Sequence, residues 1–389
     1  MRMDTMKRVI ASYINGHHEE MLALWERLVS IESGSADKAG VDAVAAAVQA
    51  EMEAAGARAA VITMKQAGNM VMAVLNDQAA EAPVILLGHM DTVFPSGTLA
   101  ARPFTIRGDK AYGPGVLDMK GGIVVAIFAM KALQAASYRK RPVKLILAGD
   151  EEVGHRNSRA ADRIVKETRG ARAAFNCETG FLDNALVVQR KGSLVFQLDV
   201  EGVAVHAGNE PEKGRSAILE IAHKVIDIQN LTDWKRGTTY NVGTICGGTV
   251  VNAVPGHASV QIDVRYLEPS DREIIRGRLQ AVTAAQYVTD TKSELTELAG
   301  FLPMKRTEAA EQLFAVVKRT YTELGLAEPY AQMVGGGSDS AYTVLAGVPT
   351  VCAMGVTGGR NHSPQEYAVV DSLFERAQVL AAAILNLDA

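Results

Sequence analysis

Three cysteines, Cys177, Cys246 and Cys352, are spread over 389 residues with no C-x-x-C pair among them. Neither a disulfide framework nor a cysteine-built zinc site is indicated, and buried thiols are expected. Excess basic charge is also missing. The net charge is −4 and the lysines and arginines are scattered rather than striped, so nucleic acid is not an expected partner. No run of about 18 uncharged apolar residues occurs, which excludes a transmembrane helix and leaves no membrane partner in view. The N-terminal stretch from Met1 to Ile31 lacks the continuous apolar core of a signal peptide. It instead alternates charge with Ile10, Tyr13, Ile14, Leu22, Trp25 and Leu28, as an amphipathic helix does, and a cytoplasmic protein is expected. No repeat of fixed period, low-complexity tract or long charge block is present, which removes solenoids and disordered linkers.

The composition is that of an ordinary globular protein, 48% apolar and 22% charged. The length exceeds the roughly 250–300 residues at which single cores stop growing, so two domains are expected. Asp37 to Ala55 is alanine-rich and closed by Gly56, which predicts a second helix. Short apolar runs at Val71–Leu75, Val84–Leu87, Val143–Leu147 and Ala173–Cys177 alternate with helical stretches at Gly122–Ala135 and Asn157–Thr168. This is the signature of an α/β fold with a mostly parallel, helix-covered sheet.

The pattern changes near residue 190. Leu194 to Val200 alternates as a strand with one wet face. A helix from Ala217 to Ile228, strands at Thr239–Ile245 and Ala258–Tyr266, and a helix opening at Ser270-Asp271 follow. That β-α-β-β-α-β order predicts a small two-layer α+β domain inserted into the first. Beyond Pro303, a helix over Glu308–Leu324, a strand over Val348–Met354 and a final helix over Ser372–Leu387 restore the first pattern. The expected boundaries are 1–190 and 304–389 for a catalytic domain in two parts, and 191–303 for the insertion.

The chemistry sits at strand ends. Glu151-Glu152 follows the apolar run at 143–148, His89-Met90-Asp91 follows Val84–Leu87, Glu178 follows Ala173–Cys177, Asp118 precedes Lys120-Gly121-Gly122, and His362 lies beyond Val348–Met354. Any one of these is most simply a capping or surface group. Their convergence carries the reading, because open α/β sheets bind ligands outside the carboxyl ends of their strands. Amide hydrolysis at neutral pH needs an activated water and a carboxylate to move protons. Adjacent glutamates in extended chain face opposite ways, so one can ligate a metal while the other faces the water.

In this order the motifs resemble the dinuclear zinc exopeptidases: glutamate carboxypeptidases, succinyl-diaminopimelate desuccinylases and aminoacylases. The similarity covers essentially the whole chain. It is nearest to the bacterial folate-cleaving glutamate carboxypeptidases, through Val205-His206-Ala207-Gly208, Asn252-Ala253-Val254-Pro255 and Asp263-Val264-Arg265. The resemblance implies two zinc ions, with cobalt or manganese admitted by the same ligand types. It implies that His89 and Glu178 hold one ion, Glu152 and His362 the other, and that Asp118 bridges both. Glu151 becomes the general base and then the acid to the leaving amine, and Asp91 accepts the outer ring proton of His89. A cis peptide is implied at Asp118-Met119. On the inserted domain, which the resemblance makes a dimerisation and lid element, His206 supports the oxyanion of a partner subunit. Asn252 adds a donor near the same atoms, and Arg265 clamps a substrate carboxylate. Gly336 and Gly337, in the run from Gly335 to Ser340, line the substrate pocket, with Ser338 or Asp339 capping the helix that follows.

The implied partners are a small-molecule or dipeptide-like substrate and a second copy of the chain. The implied activity is hydrolysis of an amide in a small peptide or N-acyl amino acid with a free carboxylate, as a carboxypeptidase. The alternatives are a biosynthetic-type deacylase, a catalytically inactive metal-binding scaffold, and serine chemistry at Ser338. Ala185 and Leu302 stand where the folate-cleaving enzymes carry basic residues for glutamate, and Arg190 or Lys191 is a candidate replacement for that charge.

Overall fold

The computed structural model describes residues 3–388. The chain divides into two compact units. One comprises Met1–Gln189, Arg306–Met333 and Ser338–Ala389, the other Arg190–Lys305 and Val334–Gly337.

The first unit is built on a six-stranded sheet. Its order is Arg58–Ile62, Met70–Leu75, Val143–Ala148, Val84–His89, Ala173–Asn176 and Thr350–Val351. The first two strands run antiparallel to their neighbours and the last four are mutually parallel. The strand Val84–His89 is buried along its entire length, as an unbroken run of Val, Ile and Leu with helices on both faces must be. Beside it the helix Gly121–Ala135 is buried from Gly121 through Met130. Its start is jammed against the sheet, and a Cβ at Gly122 would lie 1.8 Å from the Cys177 carbonyl oxygen, so only glycine fits there.

The N-terminal stretch is two helices, Met3–Gly16 and His18–Val29, rather than one. The break falls at His17, whose ring stacks on Tyr13 and donates from Nδ1 to that residue's carbonyl. Asp37 accepts from the Gly40 amide to cap the helix Lys38–Ala54, and Gly56 follows with φ +76°. The strand expected over Val348–Met354 shrinks to Thr350–Val351. Ala353 has φ +66°, which takes the chain out of the extended region. Cys177 and Cys352 are buried, but Cys246 is exposed on an outer strand.

The second unit is an antiparallel sheet in the order Thr239–Gly247, His257–Tyr266, Gly192–Glu201, Lys292–Phe301. The helices Ala217–Asn230 and Asp271–Ala284 cover one face. Leu194, Phe196, Leu198 and Val200 alternate inward from the central strand to meet Ile221, Ile228, Ile275 and Leu279. A buried ion pair, Lys224 Nζ to Glu220 Oε1 at 3.1 Å, is satisfied on both sides by backbone groups of 282–288. Val334–Gly337, which sequence pattern groups with the C-terminal part, belongs to this unit. The Arg190 Nη1 donates to the Gly336 and Gly337 carbonyls, and Arg265 Nη1 to that of Gly335.

Candidate active site

In the first unit the carboxyl ends of three adjacent parallel strands deliver His89, then Asp150-Glu151-Glu152, then Glu178 to one crevice. Asp118 enters from the distorted turn Val116–Lys120, where the Asp118–Met119 peptide is cis. His362 enters from the loop after Thr350–Val351, in the left-handed region at φ +58°. A histidine held there without glycine's freedom is a conformation that functional sites impose.

Asp118 uses its two oxygens separately. Oδ1 lies 3.3 Å from His89 Nε2 and Oδ2 lies 3.1 Å from His362 Nε2. Around the first nitrogen, Glu178 Oε1 is at 3.4 Å and Glu151 Oε2 stands farther off at 4.0 Å. Around the second, Glu152 Oε2 is at 3.2 Å. His89, Asp118, Glu151 and Glu178 are buried, and only the His362 ring, 52% exposed, faces solvent. The donor set therefore falls into two groups that share one aspartate.

These residues fit divalent cations. His89 Nε2 and Glu152 Oε1 are buried with no hydrogen-bond partner. Four carboxylates in one dry place repel one another unless positive charge lies among them. The donor atoms of His89, Glu151 and Glu178, and those of His89, Asp118 and Glu152, lie within 4.8 Å of one another. Oxygen and imidazole donors without thiolate suit zinc, cobalt or manganese.

The electrostatics record that crowding. Burial raises Glu151 well above an ordinary carboxyl, offset by His89 and reinforced by Glu178, Asp339 and Glu152. Burial likewise lifts Glu152 to about 7. Burial works against the His89 cation, but Asp118, Asp91, Glu151 and Glu178 outweigh it and hold the ring well above 6.5. The contacts with Asp118 and Glu152 take His362 to about 11.

Asp91 frames the crevice. Its carboxylate accepts the Glu151 amide at 3.0 Å, the Glu152 amide at 3.2 Å and the Ser35 hydroxyl at 2.7 Å. His89 Nδ1 is nearer to the Asp91 backbone oxygen, at 3.0 Å, than to the carboxylate, at 3.4 Å. The backbone thus shares the ring-orienting task that the sequence pattern gives to the side chain alone.

Two supports had no sequence signal. Glu366 is buried and accepts the amides of Gly115, Leu117 and Asp118 at 2.8–3.0 Å, which holds the turn that presents Asp118. His155, also buried, lies between Asp150 at 2.9 Å and Asp339 at 2.5 Å. Each ring nitrogen faces a carboxylate, so the ring donates twice as an imidazolium. Burial opposes its charge, yet Asp339 and Asp150 raise its pKa well above 6.5. Asp339 stands at the N-terminus of helix Ser340–Leu345 without capping it, and its Oδ1 faces His155. Ser338 is buried, takes the Ser340 amide at 3.3 Å and lies 3.8 Å from Cys352 Sγ, an enclosed place for a nucleophile.

His206, Asn252, Arg265, Gly336 and Gly337 belong to the second unit. His206 and Asn252 are exposed, and the backbones of His206 and Ala253 pair across a bridge, with the Ala207 amide donating to the Asn252 carbonyl. Arg265 Nε pairs with Asp263 at 2.9 Å while Nη1 meets the Gly335 carbonyl, which joins this arginine to the glycine loop. Arg190 and Lys191 Nζ are engaged by backbone carbonyls, those of Gly336, Gly337 and Gly237.

Comparison with known proteins agrees with this geometry. The model of peptidase family M20/M25/M40 matches residues 85–386. Carboxypeptidase G2 from Pseudomonas sp. (strain RS-16) is 30% identical over 94% of this chain and 88% of that protein. A succinyl-diaminopimelate desuccinylase from Nitrosospira multiformis is 27% identical over 76% of this chain and 81% of its own length. Aminopeptidase PepT from Bacillus cereus shares the fold, with TM-score 0.77 and 21% identity, over 96% of this chain and 99% of that one. An M20-family metallo-carboxypeptidase from Sulfolobus solfataricus does so at TM-score 0.77 and 21% identity, over 95% and 99%. The crevice of paired histidines and carboxylates and the family match over most of the chain lead to one conclusion: the chain belongs to peptidase family M20/M25/M40, a metallo-hydrolase of peptides or N-acyl amino acids.

Proposed function

We propose that this protein is a carboxypeptidase that uses two divalent cations, zinc in the first instance, to release a C-terminal amino acid. The observation that carries the reading is the split use of Asp118, one oxygen toward His89 and the other toward His362. His89, Glu178 and Asp118 hold one ion, and His362, Glu152 and Asp118 the other. When bound, such a pair supplies Lewis-acid polarisation of the amide carbonyl and of water.

The remaining work belongs to side chains. Glu151 sits beside the first ligand group without completing it, and burial makes its carboxyl a better proton acceptor. It takes the proton of the attacking water and returns it to the leaving nitrogen. Asp91 holds the Glu151 and Glu152 amides, so base and ligand keep their relative positions through proton transfer. Arg265 and the glycine loop at 335–337 receive the substrate carboxylate, for which a guanidinium fork is suited. His206, supplied by a second copy of the chain, supports the oxyanion as the carbonyl carbon becomes tetrahedral, and Asn252 adds a donor near the same atoms.

A homodimer is part of this reading. The outer strand Thr239–Gly247 leaves an open sheet edge, and Ile218, Leu219, Ile226, Ile245, Val250 and Val251 are exposed on the same unit, the features of a surface that a second copy covers.

The test is hydrolysis of C-terminal dipeptides, acyl amino acids and folyl-glutamate, with zinc or cobalt added and with chelator. Chelator-sensitive release of the C-terminal amino acid is expected. Turnover that survives metal removal would overturn the reading.

A further inference from the structure

The turn that carries Glu151 and Glu152 is held by two sets of bonds. In the first, Asp91 accepts the Glu151 and Glu152 amides. In the second the chain closes on itself: the Gly154 amide donates to the Glu151 carbonyl at 2.7 Å and the His155 amide to the Asp150 carbonyl at 3.1 Å. This reversal uses two consecutive left-handed residues, Gly154 at φ +67° and His155 at φ +55°. Glycine takes that conformation freely, whereas a histidine takes it at a cost.

The ring gives the histidine its use. It lies 2.9 Å from Asp150 Oδ1 and 2.5 Å from Asp339 Oδ1, and the Ser158 hydroxyl donates to the same Asp150 oxygen at 2.8 Å. The Tyr342 ring lies beside it, with centroids 5.6 Å apart. His155, Asp150 and Asp339 are all buried, and Asp150 Oδ2 and Asp339 Oδ2 have no hydrogen-bond partner among the described residues. A buried charge network left so incomplete is a poor way to stabilise a core, since well-packed apolar side chains of the same volume hold it as well or better. What the network supplies instead is position. Asp150 directly precedes Glu151, and Asp339 directly precedes the helix Ser340–Leu345. One ring therefore fastens the turn of the proposed base to a segment 184 residues further along the chain. Asp339 also follows Gly337 by two residues, so the same tie anchors the chain where it leaves the glycine loop.

We infer that His155 is a positioning residue, and the role rests on the proposed function: the ring locks the Asp150-Glu151-Glu152 turn to Asp339, so that the Glu151 carboxylate keeps one place relative to the water it deprotonates. A ring that only stabilised the fold would leave the kinetic constants of the folded enzyme unchanged. A ring that positions the base is needed for kcat.

The experiment measures kcat and KM of metal-loaded wild type, His155→Asn, Asp339→Asn and the double variant on the best substrate of the panel above, well below each unfolding midpoint, with metal content determined on the same samples. Hydrogen exchange of the segment 149–158 is followed by mass spectrometry alongside. Loss of the ring should lower kcat about 10²-fold, the effect of a displacement of about 1 Å at the reacting atoms, with KM and metal content held. Asp339→Asn keeps the shape and a neutral hydrogen bond, roughly half as strong as a charge-assisted one, so kcat should fall by about tenfold. It should also raise exchange in 149–158, remote as that segment is in sequence. The double variant should lose no more kcat than His155→Asn, because both residues act through one tie. Unchanged kcat in the single variants, a KM that rises while kcat holds, metal lost in step with kcat, or losses that multiply in the double variant would overturn the inference and leave the carboxypeptidase reading intact. If His155→Asn does not fold, Asp339→Asn decides alone, and an unchanged kcat there overturns the inference. A wild-type enzyme that hydrolyses no compound of the panel would overturn both.

Discussion

The two units hold their candidate site residues in opposite ways. In the first, His89, Asp118, Glu151 and Glu178 are buried, and backbone amides answer to Asp91 and Glu366 on either side of them. In the second, His206 and Asn252 lie in solvent, and Arg265 has one partner in Asp263 and another in the Gly335 carbonyl. The contrast follows from what each set must meet. Cation ligands have to be placed before the ion arrives, because like charges hold together only in a rigid frame. Groups that meet a substrate must stay open to it and are completed by it. Damage to the first set should therefore strike turnover or folding, and damage to the second should strike affinity or assembly.

The largest test of that division is Glu151→Gln. With the proposed base removed and the ligands intact, kcat should fall by about 10²–10⁴-fold while metal content, read by plasma mass spectrometry, stays at the wild-type level. Metal lost together with activity would move Glu151 into the ligand set. A change of pH probes the same crevice without mutation. Burial lifts Glu152 to about 7 and the contacts with Asp118 and Glu152 lift His362 to about 11, so the metal-free site carries protons that a cation must displace. Affinity should thus rise with pH, with a slope of roughly tenfold per unit for each proton displaced. Glu152 contributes below about 7, and the two histidines, His362 and the similarly raised His89, continue to contribute above it. Titration calorimetry in buffers of different ionisation enthalpy counts the protons, and a pH-independent affinity would contradict the ligand assignment.

His155→Asn leaves Asp150 and Asp339 buried without their cation and should cost about 3–5 kcal/mol in denaturant unfolding. Combining it with Asp339→Asn should cost less than the sum of the two, since the partners share one network. Arg265→Ala should raise KM by about 10–100-fold, the worth of hydrogen bonds to a charged group, with metal content and unfolding midpoint unchanged. A fall in kcat alone would reassign that residue. Least in energy but decisive for assembly, Val251→Asp should shift the sedimentation profile from dimer to monomer. A dimer that tolerates it would place the interface elsewhere.

The sequence already marks the strand-end ligands, because a short apolar run followed by His or Glu signals both a buried parallel strand and its functional end. Gly121 and Gly122 after Asp118 were legible for a similar reason, although the 1.8 Å approach of the Cys177 oxygen that forces the second glycine emerges only in three dimensions. Glu366 and His155 were silent. A carboxylate that receives three amides, or a histidine wedged between two aspartates far apart in the chain, leaves no period and no spacing to read, since its role is defined by partners the fold brings to it. Cys246 misled in the other direction. A thiol is usually buried, but this one lies on a sheet edge whose cover, in the proposed assembly, is another copy of the chain.

His362 follows Glu178 in the chain only after the whole second unit has intervened. A ribosome that has finished the first four proposed ligands must still translate that unit before the fifth ligand and its neighbour Glu366 exist. Until then the nascent crevice is a cluster of acids around one histidine, with the Asp118 turn lacking its brace. In the proposed assignment the first ion's ligands are therefore all made before the second unit, and only the paired centre waits on His362.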